Sequence, residues 1–90
     1  MTEIVRFRVY GRVQGVGFRA HCQRIAVAQQ LRGWAINGED GSVDVLLIGE
    51  SAKIAAAKAL IVAGPARAQV AFIEPGNAPE KLPQSGFFTR

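Results

Sequence analysis

A glycine-rich segment that ends in an arginine is the part of the chain best suited to chemistry. Residues 11–19 read Gly-Arg-Val-Gln-Gly-Val-Gly-Phe-Arg, and they lead from an alternating apolar stretch directly into a helical pattern. The first N–H groups of a helix have no partner inside it and lie at the positive end of the helix dipole, so they favour an anion. Arg19 falls in the first helical turn, where a guanidinium can form a bidentate pair with that anion.

Two interpretations of this segment follow from the residues alone. It is either an anion-binding loop or a glycine loop that only reverses the chain. A P-loop is excluded, because no Gly-Lys pair is followed by Ser or Thr. Residues 15–20 fit the pattern G-x-G-x-x-A, but dinucleotide binding needs a longer parallel-sheet fold, and a hairpin follows here.

Asn37 is the second candidate for chemistry. It opens the sequence Asn-Gly-Glu-Asp-Gly, so the simplest interpretation is a residue of a hairpin turn. In the predicted fold, the end of the second strand approaches the loop that follows the first strand. An amide at that position can orient a water molecule, because it both donates and accepts hydrogen bonds.

The elements that position these residues follow from hydrophobic periodicity. In chain order the pattern predicts a strand over 4–10, a helix over 18–30, a hairpin over 34–48, a second helix from its N-cap Ser51 to Gly64-Pro65, a strand over 69–73 and a short strand over 86–90. Two helices cannot cover both faces of such a sheet. The predicted fold is therefore α+β, a ferredoxin-like split βαβ sandwich (β-α-β-β-α-β plus a short terminal strand), with both helices on one face of a mainly antiparallel sheet.

Side-chain placement follows from the same patterns. Arg6 and Arg8 are expected on the sheet face that stays open to solvent. The inner stripes of the two helices are predicted to contain Phe18, Cys22, Ile25, Ala26 and Gln29 in the first and Ile54, Ala57, Leu60 and Ile61 in the second. His21 is expected to be exposed and Trp34 to lie in the core.

Composition limits the remaining possibilities. The 90 residues predict a single domain over 1–90, and a monomer is expected. One cysteine excludes an intrachain disulfide, and one cysteine with one histidine is too few ligands for a structural zinc site. No apolar run approaches the roughly 20 residues of a membrane span, and no signal peptide is visible, so a cytoplasmic location is expected. The net charge of +4, concentrated in six arginines of residues 1–32, favours an anionic partner.

The sequence resembles the acylphosphatase family. Residues 9–19 match that family's first signature, and residues 33–37 followed by 40–43 match its second. Weaker similarities lie at 64–70 and 87–90, so the resemblance covers nearly the whole chain. One departure stands at the end of the first helix, where Gln29-Gln30 replaces the usual leucine and helix-ending glycine.

The resemblance implies hydrolysis of the carboxyl–phosphate bond of acyl phosphates without a metal or cofactor. It assigns phosphate binding to Arg19, water positioning to Asn37, and a phosphate cradle to the backbone N–H groups of Gln14, Gly15, Val16, Gly17 and Phe18. This chemistry agrees with the residue types. The leaving carboxylate has a conjugate acid of pKa about 4 and needs no general acid, so positioning and charge stabilisation suffice.

Two alternatives belong to other functional classes. RNA-recognition domains share this fold, and Tyr10 on the open face would suit one, but the third strand lacks the stacking aromatics that they need. A non-catalytic or assembly role is the other, because similar domains form one module of a hydrogenase-maturation carbamoyltransferase. The end of the chain at Arg90 and the presence of both Arg19 and Asn37 favour the stand-alone enzyme. Neither nucleic acid nor a membrane is therefore expected as a partner.

Overall fold

The computed structural model describes residues 1–90. It is a five-stranded sheet with two helices on one face. The elements are β1 (Thr2–Arg12), α1 (Phe18–Ala28), β2 (Arg32–Asn37), β3 (Val43–Glu50), α2 (Ser51–Ala63), β4 (Gln69–Gly76) and β5 (Phe87–Thr89). The strand order is β4-β1-β3-β2-β5, antiparallel except for the parallel pair β2–β5. The predicted fold is confirmed. Neither helix is long and apolar enough to cross a membrane.

The main core lies between the sheet and the helices. Alternating residues of the two central strands supply its sheet side, among them Phe7 on β1 and Val45 on β3, and Cys22 and Ile61 approach from α1 and α2. The stripe predicted for α2 was wrong at Leu60, whose surface is 52% exposed. Because Ala, Ile, Leu and Val occupy most sides of α2, its periodicity does not select a single buried face.

Most predicted boundaries differ from the structure by one to three residues; β1 starts at Thr2 and ends at Arg12, and α1 ends at Ala28. β4 continues to Gly76 and includes Pro75. Proline lacks a backbone N–H, and an edge strand tolerates it where no neighbouring strand needs that donor. Ser51 is the first residue of α2 rather than its N-cap, which is Glu50. The Ser51 hydroxyl instead donates to the Met1 carbonyl at 3.2 Å and so ties the start of α2 to the N-terminus.

The sheet face opposite the helices is partly covered. Residues 77–86, here called the strap, join strands at opposite edges of the sheet and therefore cross it. Arg6 donates to the Asn77 carbonyl at 3.3 Å, and Arg32 Nε donates to the Pro83 carbonyl at 2.9 Å. Arg6 also pairs with Asp44 on this face, with both guanidinium-to-carboxylate hydrogen bonds at 2.7–3.0 Å. The prediction of a solvent-open face was therefore wrong at Arg6, whereas Phe72, stacked on Tyr10 at the other end of the face, is 57% exposed. A strand order was needed to see where the strap runs.

Trp34 lies on this covered face and not in the main core. Its ring packs against Phe88 at a centroid distance of 5.7 Å and lies 5.6 Å from the Arg6 guanidinium. Its Nε1 is buried without a hydrogen-bond partner. The residue thus anchors the far side of β2, the strand that ends at Asn37.

The end of α1 carries a strained residue, and this leads to a stability prediction. Gln30 has φ of 60°, the only positive φ at a residue other than glycine. A side chain in this left-handed region costs roughly 1–2 kcal/mol, and glycine is usual there. We expect Gln30→Gly to stabilise the protein by about 0.5–1 kcal/mol, raising Tm by about 2–8 °C.

The neighbouring glutamine provides the matched control. Gln29 has φ of −91°, which any residue adopts, so Gln29→Gly only adds chain entropy to the unfolded state and should lower Tm. Thermal unfolding followed by circular dichroism compares the two variants. A Tm for Gln30→Gly at or below that of the wild type would contradict the strain argument. Gln30→Gly also removes the hydrogen bond from Lys53 at 2.5 Å, but this bond is exposed and contributes little to stability.

Candidate active site

The loop between β1 and α1 presents unpaired backbone donors. Gly15 and Gly17 have φ of 74° and 78°, and these left-handed conformations turn the chain from β1 into the helix. Gly17 is the N-cap of α1 and supplies no side-chain cap. None of the N–H groups of residues 14–18 donates to a protein acceptor. The five predicted amides are thus available to an anion at the positive end of the helix.

Arg19 lies beside these amides on the first turn of α1. Its side chain is half-buried and lines a cleft of about 210 Å³ together with Gly15, Gly17, Gln23 and Thr89. No carboxylate or carbonyl of the protein pairs with its guanidinium. A half-buried arginine whose donors are all free suits a ligand with several acceptor oxygens, such as a phosphate.

Asn37 is the last residue of β2 and does not line that cleft. Its backbone N–H donates to the Arg90 carbonyl at 2.7 Å, which fixes the strand end. Its side-chain Oδ1 is buried and has no protein partner. A buried acceptor without a donor is unfavourable, so this oxygen is suited to accept a hydrogen bond from a bound water. Asn37 therefore precedes the turn rather than belonging to it.

The side chain of Gln14 joins the loop to the turn that follows Asn37, and sequence analysis missed this. Gln14 Nε2 donates to the carbonyls of Gly38 and Ser42, both at 2.9 Å. The turn itself is held by the Asp40 carboxylate, which accepts hydrogen bonds from the Ser42 N–H and hydroxyl. These bonds lower the pKa of Asp40 below its usual value. No signal in the sequence distinguishes Gln14 from an ordinary loop residue, because its partners are backbone atoms.

The other reactive side chains near Arg19 have structural roles. Cys22 is fully buried, and this burial raises the pKa of its thiol to about 12, so it is not a nucleophile at neutral pH. His21 was expected to be exposed, but it is half-buried, and its Nε2 donates to the Leu60 carbonyl at 3.0 Å. That bond bridges α1 to α2 and withdraws the imidazole from the cleft.

Fold and loop together define the class: a ferredoxin-like α+β sandwich with a glycine-rich loop at the start of its first helix. Comparison with known protein families then identifies the family. The acylphosphatase family model matches residues 5–89, and the chain belongs to the acylphosphatase family.

Individual relatives agree with this assignment. An acylphosphatase from Cupriavidus metallidurans is 41% identical over 81 residues, covering 90% of this chain and 85% of the relative. One from Synechococcus sp. is 43% identical over 74 residues, which is 82% of this chain but 63% of that longer protein. The crystal structure of acylphosphatase from Bacillus subtilis superposes with a TM-score of 0.86 at 30% identity, covering 100% of this chain and 99% of the other. These similarities support an acylphosphatase enzyme that hydrolyses acyl phosphates.

Proposed function

We propose that this chain hydrolyses acyl phosphates with the phosphate held by Arg19 and the N–H groups of Gln14, Gly15, Val16, Gly17 and Phe18, and with the attacking water directed by Asn37. The observation that carries the proposal is the convergence of free donors on one cleft. The loop amides and the Arg19 guanidinium have no protein acceptors, and Gly15, Gly17 and Phe18 line the same cleft as Arg19.

The chemistry is a displacement at phosphorus. Water attacks in line, the bond between phosphorus and the carboxyl oxygen breaks, and the carboxylate leaves with the bonding electron pair. The proton of the water passes to solvent or to the phosphate product. Arg19 and the loop amides stabilise the charge on the phosphoryl oxygens, and Asn37 Oδ1 accepts a hydrogen bond from the water. A carboxylate is stable as an anion, so no acid is required to protonate it.

The same proposal covers the setting of the reaction. We propose one catalytic domain over residues 1–90, acting as a monomer in the cytoplasm on small acyl phosphates. The family match over residues 5–89 supports a single domain. The strap covers part of the sheet face that an RNA-recognition domain would use, and β3 lacks stacking aromatics, which favours a small-molecule partner over nucleic acid. The single cysteine is buried and unpaired, as suits a reducing compartment.

The test is phosphate release from benzoyl phosphate with a metal chelator present. We expect sustained turnover that the chelator does not reduce, because the protein donors supply all of the charge stabilisation. A protein with a native circular dichroism spectrum but no turnover would reject the proposal. Turnover that the chelator abolishes would reject its metal-independent form.

A further inference from the structure

Two separate segments carry the parts of the proposed site. The phosphate-binding groups lie on the β1–α1 loop and the first turn of α1, whereas Asn37 ends β2. In-line attack on phosphorus requires that the water and the phosphate be held at a fixed distance, and an error of about 1 Å costs on the order of 10²-fold in rate. Some contact must therefore hold the loop and the end of β2 at a fixed distance from each other.

The Gln14 side chain makes the only side-chain hydrogen bonds between these segments. Its Nε2 spans from the loop to the Gly38 and Ser42 carbonyls, both at 2.9 Å, and Gly38 follows Asn37 directly. The side chain is half-buried, so water competes only partly for these bonds. Each amide hydrogen has one acceptor, which fixes the orientation of the amide as well as its distance.

We propose that the Gln14 side chain is a positioning residue, which holds the phosphate-binding loop against the turn that directly follows Asn37. This inference rests on the proposed function. It differs from the role of the Gln14 backbone N–H, which is retained whatever the side chain. Gln14 thus sets the geometry of water attack and contributes nothing of its own to phosphate affinity.

The turn does not depend on Gln14 for its own structure. The Ser42 carbonyl also accepts from the Gly38 N–H at 2.8 Å, and the Gly38 carbonyl accepts from the Gly41 N–H at 3.4 Å. Removing the amide of Gln14 therefore leaves neither carbonyl without a donor. Gln14→Met, which keeps the length of the side chain and loses both donors, is expected to fold.

Kinetics of Gln14→Met separate positioning from binding. We expect kcat for benzoyl phosphate to fall about 10- to 100-fold, with the Kd for inorganic phosphate within about twofold of the wild-type value. In an Asn37→Ala background the same change should lower kcat by less than about threefold. Without the Asn37 amide to orient the water, the position of the loop relative to residue 37 has little effect on the rate. A wild-type kcat, or an undiminished loss in the Asn37→Ala background, would overturn the proposal.

Arg32→Met is the matched control. Like Gln14, Arg32 donates from its side chain to a distant backbone carbonyl, that of Pro83. Arg32 lies on β2, the strand that ends at Asn37. Its loss should lower Tm by an amount similar to or larger than that of Gln14→Met, while kcat stays unchanged. If both variants lose activity in proportion to their loss in Tm, then Gln14 acts only through stability and the inference is wrong.

An NMR titration with inorganic phosphate tests the coupling without turnover. In the wild type, we expect the loop amides and the Asn37 side-chain amide to shift together. In Gln14→Met the loop amides should still shift, and the Asn37 amide should not. A wild type that shows this coupling but no hydrolysis would reject the proposed function alone. Asn37 shifts that are identical in both proteins would reject the role of Gln14 alone.

Discussion

Replacing Arg19 by glutamine is expected to lower kcat/KM for acyl phosphates by at least about 10²–10³. The guanidinium lies half-buried beside the loop amides and has no protein partner, so all of its donors are available to the phosphate. Charge builds on the phosphoryl oxygens as the bond to the leaving group breaks, and a preformed cation stabilises it without reorganisation. Steady-state kinetics with benzoyl phosphate measure the loss.

The control for Arg19 is Arg24→Gln on the same helix. Arg24 is exposed and does not line the cleft, so its removal changes the net charge equally and should leave kcat/KM unchanged. Arg19→Gln should nearly keep the wild-type Tm, since no hydrogen bond or ion pair within the protein is lost. Equal activity losses in the two variants would show that only overall charge matters, and would contradict a phosphate-binding role for Arg19.

Asn37→Ala is expected to lower kcat by about 10²-fold or more, with the Kd for inorganic phosphate within about twofold of wild type. The side chain lies outside the cleft that Arg19 lines, so its loss removes the guidance of the water and leaves phosphate binding intact. Stability gives an independent readout. Because Oδ1 is buried and unpaired in the protein, its deletion should not lower Tm.

Glu39→Gln is the control for Asn37. It changes an exposed residue of the turn that follows Asn37, and kcat should not change. An Asn37→Ala variant that loses phosphate affinity as strongly as kcat would place Asn37 in the phosphate cradle instead. A large fall in Tm would indicate that its buried amide serves the fold.

The order of elements was predictable from the sequence because its local signals agree. Val5, Phe7 and Val9 alternate as a half-buried strand requires, and Gly64 stops the second helix as expected. The loop from Gln14 to Phe18 was predictable for the same reason, because glycine spacing is a local property. Its free N–H groups follow from that spacing.

Features that depend on tertiary contacts were not predictable. The strap contains Pro79 and Pro83 and has no periodicity, so nothing in it indicates which sheet face it crosses. The hydrogen bonds of Gln14 end on backbone carbonyls, which leave no trace in residue identity. At Gln30 the sequence shows only that glutamine replaces the usual helix-ending glycine. The structure is needed to show that this glutamine still adopts the left-handed conformation.

The short last strand β5 affects how the protein loses activity on heating. β5 pairs with β2 through three residues only, and it is reached by the strap, so its docking closes a long loop for few contacts. The same docking brings the Arg90 carbonyl to the Asn37 N–H. We therefore expect β5 to detach before the rest of the sheet opens, which would free the end of β2 without unfolding the helices. Thermal inactivation should consequently begin below the temperature of global unfolding, while most of the native secondary structure is still present.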